Sequence, residues 1–427
     1  MGIGDGYAKL YHWLLVLIVR GFGGVAGVVA TIVTSRMLGA EQAGLVFLAL
    51  SVITVSAAFS RLGLDMAVVR FIGMHAASGE WAQVQGTFRL SLKWAGFTSL
   101  AVALLLCLAA GPLAHHVFHK PALAPVLTIM AWQVPLLALY WLCAQGFIGL
   151  RQPELATFLQ NICLPLGFIA LLLAALHLDL PLPPALLAAC AYVLGASATL
   201  LMGLWLWRKR LPAATPHIDA TQLWNSAAPL WVVVVMNQML TWSGQITSGI
   251  WLDATQVAHF AAAQRTALLI SLALIVTNML VAPRFAALHK QDKLDDLRQL
   301  ARKTTQMMAL IATFVVIAMV VFANEVMQLF GEEFGNAGVL LKILALGQWV
   351  CMVTGSVAIL LQMTGYERDM RDITIASGVL VIALSVIFTS RWGVQGAAWA
   401  TALTMIAQNI AALIMVRRRL GFWTLGL

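Results

Sequence analysis

Arg70-Phe71-Ile72-Gly73-Met74-His75 closes a stretch, Leu14 to His75, around which the rest of the chain is arranged. An apolar helix is expected over roughly Tyr11 to Ser35, long enough to cross a bilayer at about 1.5 Å per residue. It carries one charge, Arg20. Arg36-Met37-Leu38-Gly39-Ala40-Glu41 then makes a turn, and a second apolar helix returns from about Gly44 to Arg61, ahead of Gly63-Leu64-Asp65. The chain writes this hairpin twice. Shifted by 214 residues, Arg70 to His75 lies on Arg284-Phe285-Ala286-Ala287-Leu288-His289, while Leu38 falls on Leu252, Gln42 on Gln256 and Arg89 on Lys303. An offset of half the chain length marks an internal duplication.

Composition says what surrounds the chain. Of its 427 residues 61% are hydrophobic and 10% charged, with a mean hydropathy of +0.89. A soluble protein of this size carries roughly a quarter of its residues as charges to cover its surface. This one cannot, so its surface faces lipid. The net charge of +9 does not point to nucleic acid, because the basic residues fall in short loops between apolar segments, where they set topology. Cys107, Cys143, Cys163, Cys190 and Cys351 all fall inside apolar segments without metal-ligand spacing and read as small hydrophobes. The first apolar run is too long for a cleavable signal, contains Arg20 and lacks a small-x-small cleavage site. An uncleaved, polytopic inner-membrane protein is expected.

Twelve spans follow from the apolar runs, at about 11–35, 44–62, 90–113, 122–148, 154–177, 184–207, 224–250, 256–283, 305–328, 336–362, 370–390 and 394–416. Turn chemistry separates them at Gly111-Pro112, Lys120-Pro121, Gln152-Pro153, Pro181-Leu182-Pro183-Pro184 and Leu211-Pro212. Most of the 26 Lys and Arg residues lie on one side, including Arg61, Arg70, Arg89, Arg208-Lys209-Arg210, Arg284 and Arg417-Arg418-Arg419. Arg36, Lys120 and Arg391 lie on the other, with Lys342 near it. The positive-inside rule makes both termini cytoplasmic. Six spans per half is an even number, so both halves start from the same side and the repeat is parallel, with the pathway expected between them. The expected organisation is a lobe over 1–207, a linker over 208–221 with Pro212 and Pro216, and a lobe over 222–427. Two cytoplasmic loops, Gly63–Trp94 and Phe285–Gln306, are long enough for short interfacial helices.

No catalytic constellation or Gly-rich phosphate loop is visible, no cofactor is expected, and His115, His116 and His119 read as a solvated external turn. The informative residues are charges within spans. Arg20 lies in the first and Arg265 in the eighth. A charge in hydrocarbon is costly, so it faces water or protein and is functional by default, unless it snorkels to the headgroups. Under the 214-residue shift Arg20 falls on Val234 and Arg265 on Ser51, so neither charge is needed by the repeat unit itself. Each half offers a cation of its own. The seventeen acidic residues fall in loops or at span ends. Arginines without a carboxylate favour an anion, and the planar guanidinium suits phosphate because it donates two hydrogen bonds at once. Lys342 is a candidate third cation. Asn237, Gln238, Gln245, Gln133 and Gln348 add amides that can bind sugar hydroxyls or join helices. Trp13, Trp132, Trp242, Trp251 and Trp349 read as residues of the interfacial belt. Asp65, Arg70 and Arg284 are the expected gate residues at the cytoplasmic ends.

Three motifs, in order, carry a resemblance. Ser35-Arg36-Met37-Leu38-Gly39-Ala40-Glu41-Gln42-Ala43-Gly44 with Gly63-Leu64-Asp65-Met66-Ala67-Val68-Val69-Arg70-Phe71 is similar to the opening of bacterial polysaccharide-transport flippases. Leu329-Phe330-Gly331-Glu332-Glu333-Phe334 with Leu341-Lys342-Ile343-Leu344-Ala345-Leu346-Gly347-Gln348 fits, as does Gly393-Val394-Gln395-Gly396-Ala397-Ala398-Trp399-Ala400. The resemblance, to the Wzx-type family of the multidrug, oligosaccharidyl-lipid and polysaccharide exporter superfamily, runs essentially the whole length. It implies an all-α polytopic protein, a V-shaped pair of six-helix bundles. Such a protein would move polyprenyl (undecaprenyl) diphosphate-linked oligosaccharides to the outer leaflet by alternating access. It also implies that Arg20 and Arg265 line the cavity, and that a polysaccharide polymerase and chain-length regulator are partners. Twelve spans favour the O-antigen or exopolysaccharide branch over peptidoglycan-precursor relatives, which add two helices. The rival is a cation-coupled drug exporter of the same architecture, which would need a membrane-embedded carboxylate. A membrane scaffold without transport gives no reason to bury arginine.

Overall fold

Every element among the described residues is a helix, as expected for a chain that must satisfy its backbone hydrogen bonds within hydrocarbon. The computed structural model describes residues 3–178, 181–212, 215 and 220–425, with side chains from residue 21 onward except Val276. The chain forms two compact units, Met1–Val235 and Met236–Leu427. The boundary falls inside one helix, Ala220–Trp251. Its first half belongs to the first unit because Leu223 and Ala227 are wholly buried in a core with Leu64, Val68, Phe71, Phe147 and Trp207.

Each unit repeats one order of helices. In the first, Ile3–Ser60 is two helices meeting at Gly39, whose φ of 75° and ψ of 165° break the spiral. This is the turn expected at Met37-Leu38-Gly39-Ala40, and a positive φ is why glycine stands there. Its counterparts are Ala220–Trp251 and Ala254–Ala267, parted at Asp253 in extended conformation. Leu64–Ala77 and Trp81–Pro112 correspond to Leu272–Lys290 and Leu294–Val321. Leu123–Ala131 with Gln133–Gly149 corresponds to Gly338–Thr354 with Val357–Met363. The packed pair Leu164–His177 and Pro184–Arg210 corresponds to the two arms of Glu367–Leu420, which meet at Gly393 with φ 61°. The duplicated Phe71 and Phe285, 4% and 1% exposed, are buried in the core cluster of their own unit.

Eight helices are long and apolar enough to cross a membrane, or nine if the bent pair Leu123–Ala131 and Gln133–Gly149 is one span. Two of the eight, Gly21–Ser60 and Glu367–Leu420, each contain a glycine break. Length and apolarity therefore do not by themselves return twelve. Asn225, Asn237, Gln238 and Gln245 dilute Ala220–Trp251, and the eighth expected span is two helices. After Ala267 the backbone tightens, Leu269 N–H bonding the Thr266 carbonyl and Ile270 N–H the Ala267 carbonyl, before Leu272–Lys290 begins.

Of the two loops expected to hold short helices, the first does so in Leu64–Ala77. The amphipathic segment after Lys293 is instead the first turns of Leu294–Val321, because nothing interrupts its helical pattern. Leu297, Ala301, Thr305, Met308 and Ala312 form one buried stripe along it.

Candidate functional site

In the second unit the break after Ala267 decides where Arg265 stands. The sequence puts this residue inside one continuous span. In the structure it occupies the last turn of Ala254–Ala267, where the helix dipole favours a cation. Its guanidinium lies over the Trp242 ring, 5.5 Å from the centroid, a cation–π contact. Trp242 is 8% exposed, and its Nε1–H donates to Gln238 Oε1 at 3.1 Å. The neighbouring Gln264 Nε2 donates to the Thr241 carbonyl at 2.6 Å. The side chains of Trp242, Gln238 and Gln264, on two consecutive helices, thus cluster about one half-buried arginine. The cluster can present positive charge and amide hydrogen bonds to an anion that carries hydroxyl groups.

The other expected residues of this unit divide by burial. Gln245 and Gln348 are 2% and 5% exposed, inside the packing rather than on an open surface. Asn237 is exposed, as is Lys342, about one turn into Gly338–Thr354. Arg284 is exposed in the C-terminal half of Leu272–Lys290.

In the first unit Arg20 falls in the helix Ile3–Ser60, and its side chain lies outside the described residues. Three residues further on, Gly23 touches the fifth expected span: a Cβ there would stand 2.5 Å from Asn161 Cβ. The facing turn, Leu159–Cys163, is a π-helix carrying Gln160 and Asn161, a local widening frequent at functional sites. Gln133 is 0% exposed, and neither its Nε2 nor its Oε1 has a hydrogen-bond partner among the described residues. It opens Gln133–Gly149, at a 41° bend from the preceding helix.

Of the expected gate residues, Asp65 is joined to Arg61 rather than to Arg70. Arg61 Nε donates to Asp65 Oδ1 at 2.8 Å and Oδ2 at 3.1 Å, and the guanidinium lies 5.2 Å from the Trp141 ring centroid. Both charges are nearly buried, at 4% and 7% exposure, whereas Arg70 is exposed. The i,i+4 spacing of Arg61 and Asp65 was available in the sequence. Trp141, far along the chain, was not. Likewise Trp242, which reads as a belt residue, holds Arg265 instead, and no sequence feature announces the π-helical turn.

The profile of the family described as "Polysaccharide biosynthesis protein" matches residues 10–289, so the chain belongs to that family. No curated protein matches it in sequence. Among solved structures it is similar to an inward-facing multidrug resistance MATE family transporter of the MOP superfamily, at 15% identity and TM-score 0.79, covering 95% of this chain and 98% of that one. It is similar to the lipid II flippase MurJ in an inward closed conformation, at 12% identity and TM-score 0.76, covering 95% and 87%. A Pyrococcus furiosus MOP superfamily transporter, described by a reverse polarity of its binding pocket, follows at 16% identity, TM-score 0.70 and coverage of 96% and 95%. At these identities the likeness is one of fold. The chain is therefore a multi-pass, all-α membrane protein with the fold of MOP superfamily transporters, in a family tied to polysaccharide biosynthesis.

Proposed function

We propose that this protein is a flippase that carries a polyprenyl (undecaprenyl) diphosphate-linked oligosaccharide from the cytoplasmic to the periplasmic leaflet of the bacterial inner membrane. It would serve O-antigen or exopolysaccharide synthesis. The observation that carries the reading is the Arg265 guanidinium held over Trp242, within a chain of the polysaccharide biosynthesis family. Arg265, with Arg20 and Lys342, binds the diphosphate, because a guanidinium donates in parallel to phosphate oxygens. Gln238 and Asn237 serve the glycan, and Gln245, Gln133 and Gln348, buried in the packing, reach it only as the helices rearrange. The lobes over 1–207 and 222–427, joined by 208–221, alternate access by rocking. Asp65, Arg70 and Arg284 lie at the cytoplasmic gate. Both termini are cytoplasmic by the asymmetry of basic loops, and a polysaccharide polymerase and chain-length regulator take up the product.

A lipid II flippase among the structural neighbours supports a lipid-linked substrate, and the family supports a glycan. The MATE neighbours favour the second reading, a cation-coupled multidrug exporter, which needs an acidic group in its pathway. The test follows the prenyl-diphosphate oligosaccharide in cells lacking the protein, rescued with wild type, Arg20→Ala or Arg265→Ala. Accumulation in the cytoplasmic leaflet that only wild type relieves is the expected result. Normal delivery to the outer leaflet without the protein overturns the proposal.

A further inference from the structure

Gly338–Thr354 ends where Gly355 turns the chain with φ 80°, and Val357–Met363 resumes it. The last carbonyls of a helix have no donor within their own helix. At Thr354 the donor comes from far along the chain. Thr424 Oγ1 donates to the Thr354 carbonyl at 2.9 Å, and the two residues are buried, at 1% and 4% exposure. The break is closely packed. A Cβ on Gly355 would run into Thr305 Oγ1, the Thr354 hydroxyl donates to Asn409 Oδ1 at 3.4 Å, and Asn409 Nδ2 donates to Cys351 Sγ at 3.0 Å.

The segment that supplies this hydroxyl, Gly421–Leu425, turns off Glu367–Leu420 at Gly421, whose φ is 82° and where a Cβ would meet nothing within 4 Å. Phe422 enters the core cluster that holds Phe285, Leu297 and Val357. Arg302, on Leu294–Val321, donates through Nε to the Trp423 carbonyl at 3.2 Å, while Trp423 itself is exposed. The first unit holds the segment after Pro184–Arg210 by a similar bond. There Gln85 Nε2, on the counterpart helix Trp81–Pro112, donates to the Pro212 carbonyl at 3.4 Å. A segment that only had to leave its helix would need no more than that. Gly421–Leu425 also buries two side chains, Phe422 in the core and Thr424 at the break. A short segment that pivots on an open glycine, held by few apolar contacts and single hydrogen bonds, opens more readily than the helices it covers.

We propose that Gly421–Leu425 is a strap on the second unit: with Thr424 on the Thr354 carbonyl it holds the break at Gly355 in one conformation, and when released it lets Val357–Met363 swing on that break. Gly355-Ser356 is a Gly/Ser pair, a common seat of sharp kinks, and hinges are a few element-terminal residues that absorb changes of φ and ψ. Held down, the strap restrains the transport cycle. That role rests on the flippase reading, whereas its hold on the break does not.

The test follows backbone amide exchange by mass spectrometry on the full chain. It compares wild type with Thr424→Val, which keeps the shape and removes the donor, and with Phe422→Ala. Exchange over residues 355–363 is expected to quicken about fivefold in Thr424→Val, the factor of one net hydrogen bond, and further in Phe422→Ala. Residues 372–390, on the first arm of Glu367–Leu420, are expected to exchange as in wild type. Transport of prenyl-diphosphate oligosaccharide in reconstituted vesicles is expected to rise about twofold or more in Thr424→Val. Unchanged exchange over 355–363 in both variants overturns the strap, as does a rise spread evenly over the second unit, which marks ordinary core packing. Faster exchange at the break with transport no faster than in wild type overturns the restraint on the cycle. If the break is released while wild type carries no lipid-linked oligosaccharide, the flippase reading falls and the strap stands.

Discussion

The Arg265 guanidinium stacks on the Trp242 indole, and the same indole donates through Nε1 to Gln238. The ring is thus held from its edge while its face carries the cation. The planar guanidinium is the group suited to donating two parallel hydrogen bonds to an anion.

Arg265→Gln is therefore expected to reduce delivery of lipid-linked oligosaccharide at least tenfold, a loss of about 1.4 kcal/mol. Arg265→Lys keeps the charge without the planar fork and is expected to fall between. Trp242→Phe keeps a ring but loses the edge bond, with an expected fall of about two- to fivefold. Transport in reconstituted vesicles measures all three. Full activity in Arg265→Gln refutes the role of this cation.

The buried pair Arg61 and Asp65 makes a different demand. Asp65→Asn leaves Arg61 buried without its counter-ion, and breaking such a pair costs about 3–5 kcal/mol. The expected result is a marked fall in thermal unfolding temperature in detergent. The double change Arg61→Met with Asp65→Leu is expected to be milder than either single change. A double variant as unstable as the sum of the singles shows that the two residues act independently.

The repeat, the lipid-facing surface and the glycine turn at Gly39 were legible in the sequence because each rests on local pattern: period, composition and a residue suited to positive φ. The broken eighth span was not. Arg265-Thr266-Ala267-Leu268-Leu269-Ile270-Ser271 holds no proline or glycine, and the break is made by successive i,i+3 hydrogen bonds that nothing in the residue types announces. The partners of the charges were legible only at short range. Asp65 lies four residues from Arg61, but Trp242 and Trp141 meet their arginines through the fold.

Gly63 tests how the first half of Ala220–Trp251 is seated in the first unit. Its φ is 75°, and a Cβ there would collide with the Ala227 carbonyl and stand 2.6 Å from Trp231 N. The seat is reinforced by the Trp231 indole N–H, which donates to the Phe59 carbonyl at 2.8 Å. Gly63→Ala adds backbone strain of about 1–2 kcal/mol to the collision. It is expected to lower the unfolding temperature more than Gly79→Ala, where φ is 74° but a Cβ meets nothing within 4 Å. Equal effects at the two glycines mean that strain alone acts.

Asp369 and Arg419 give a pH dependence with a definite sign. Arg419 donates to Asp369 through Nε at 2.7 Å and Nη2 at 3.0 Å, which holds the Asp369 carboxyl below its ordinary range. A depressed carboxylate adds stability above its unfolded pKa, about 3.9, and loses it as pH falls through the lower folded value. Asp369→Asn is expected to remove this acid-sensitive component, so the wild-type advantage over the variant shrinks as pH is lowered from 6 toward about 3. Unfolding temperature against pH for both proteins measures it, and an advantage that grows with acid contradicts the pairing.

Gln133 separates folding from function. Its amide is wholly buried, with neither nitrogen nor oxygen paired among the described residues, and a buried unpaired polar group costs about 1–3 kcal/mol. Methionine fills a similar volume without that cost. Gln133→Met is therefore expected to raise the unfolding temperature. If the amide serves the glycan, the same variant delivers less lipid-linked oligosaccharide while folding better, which no damaged protein would do. A variant that is less stable than wild type shows that the amide is satisfied where it stands. One that is more stable and fully active makes Gln133 a tolerated core residue and removes it from the site.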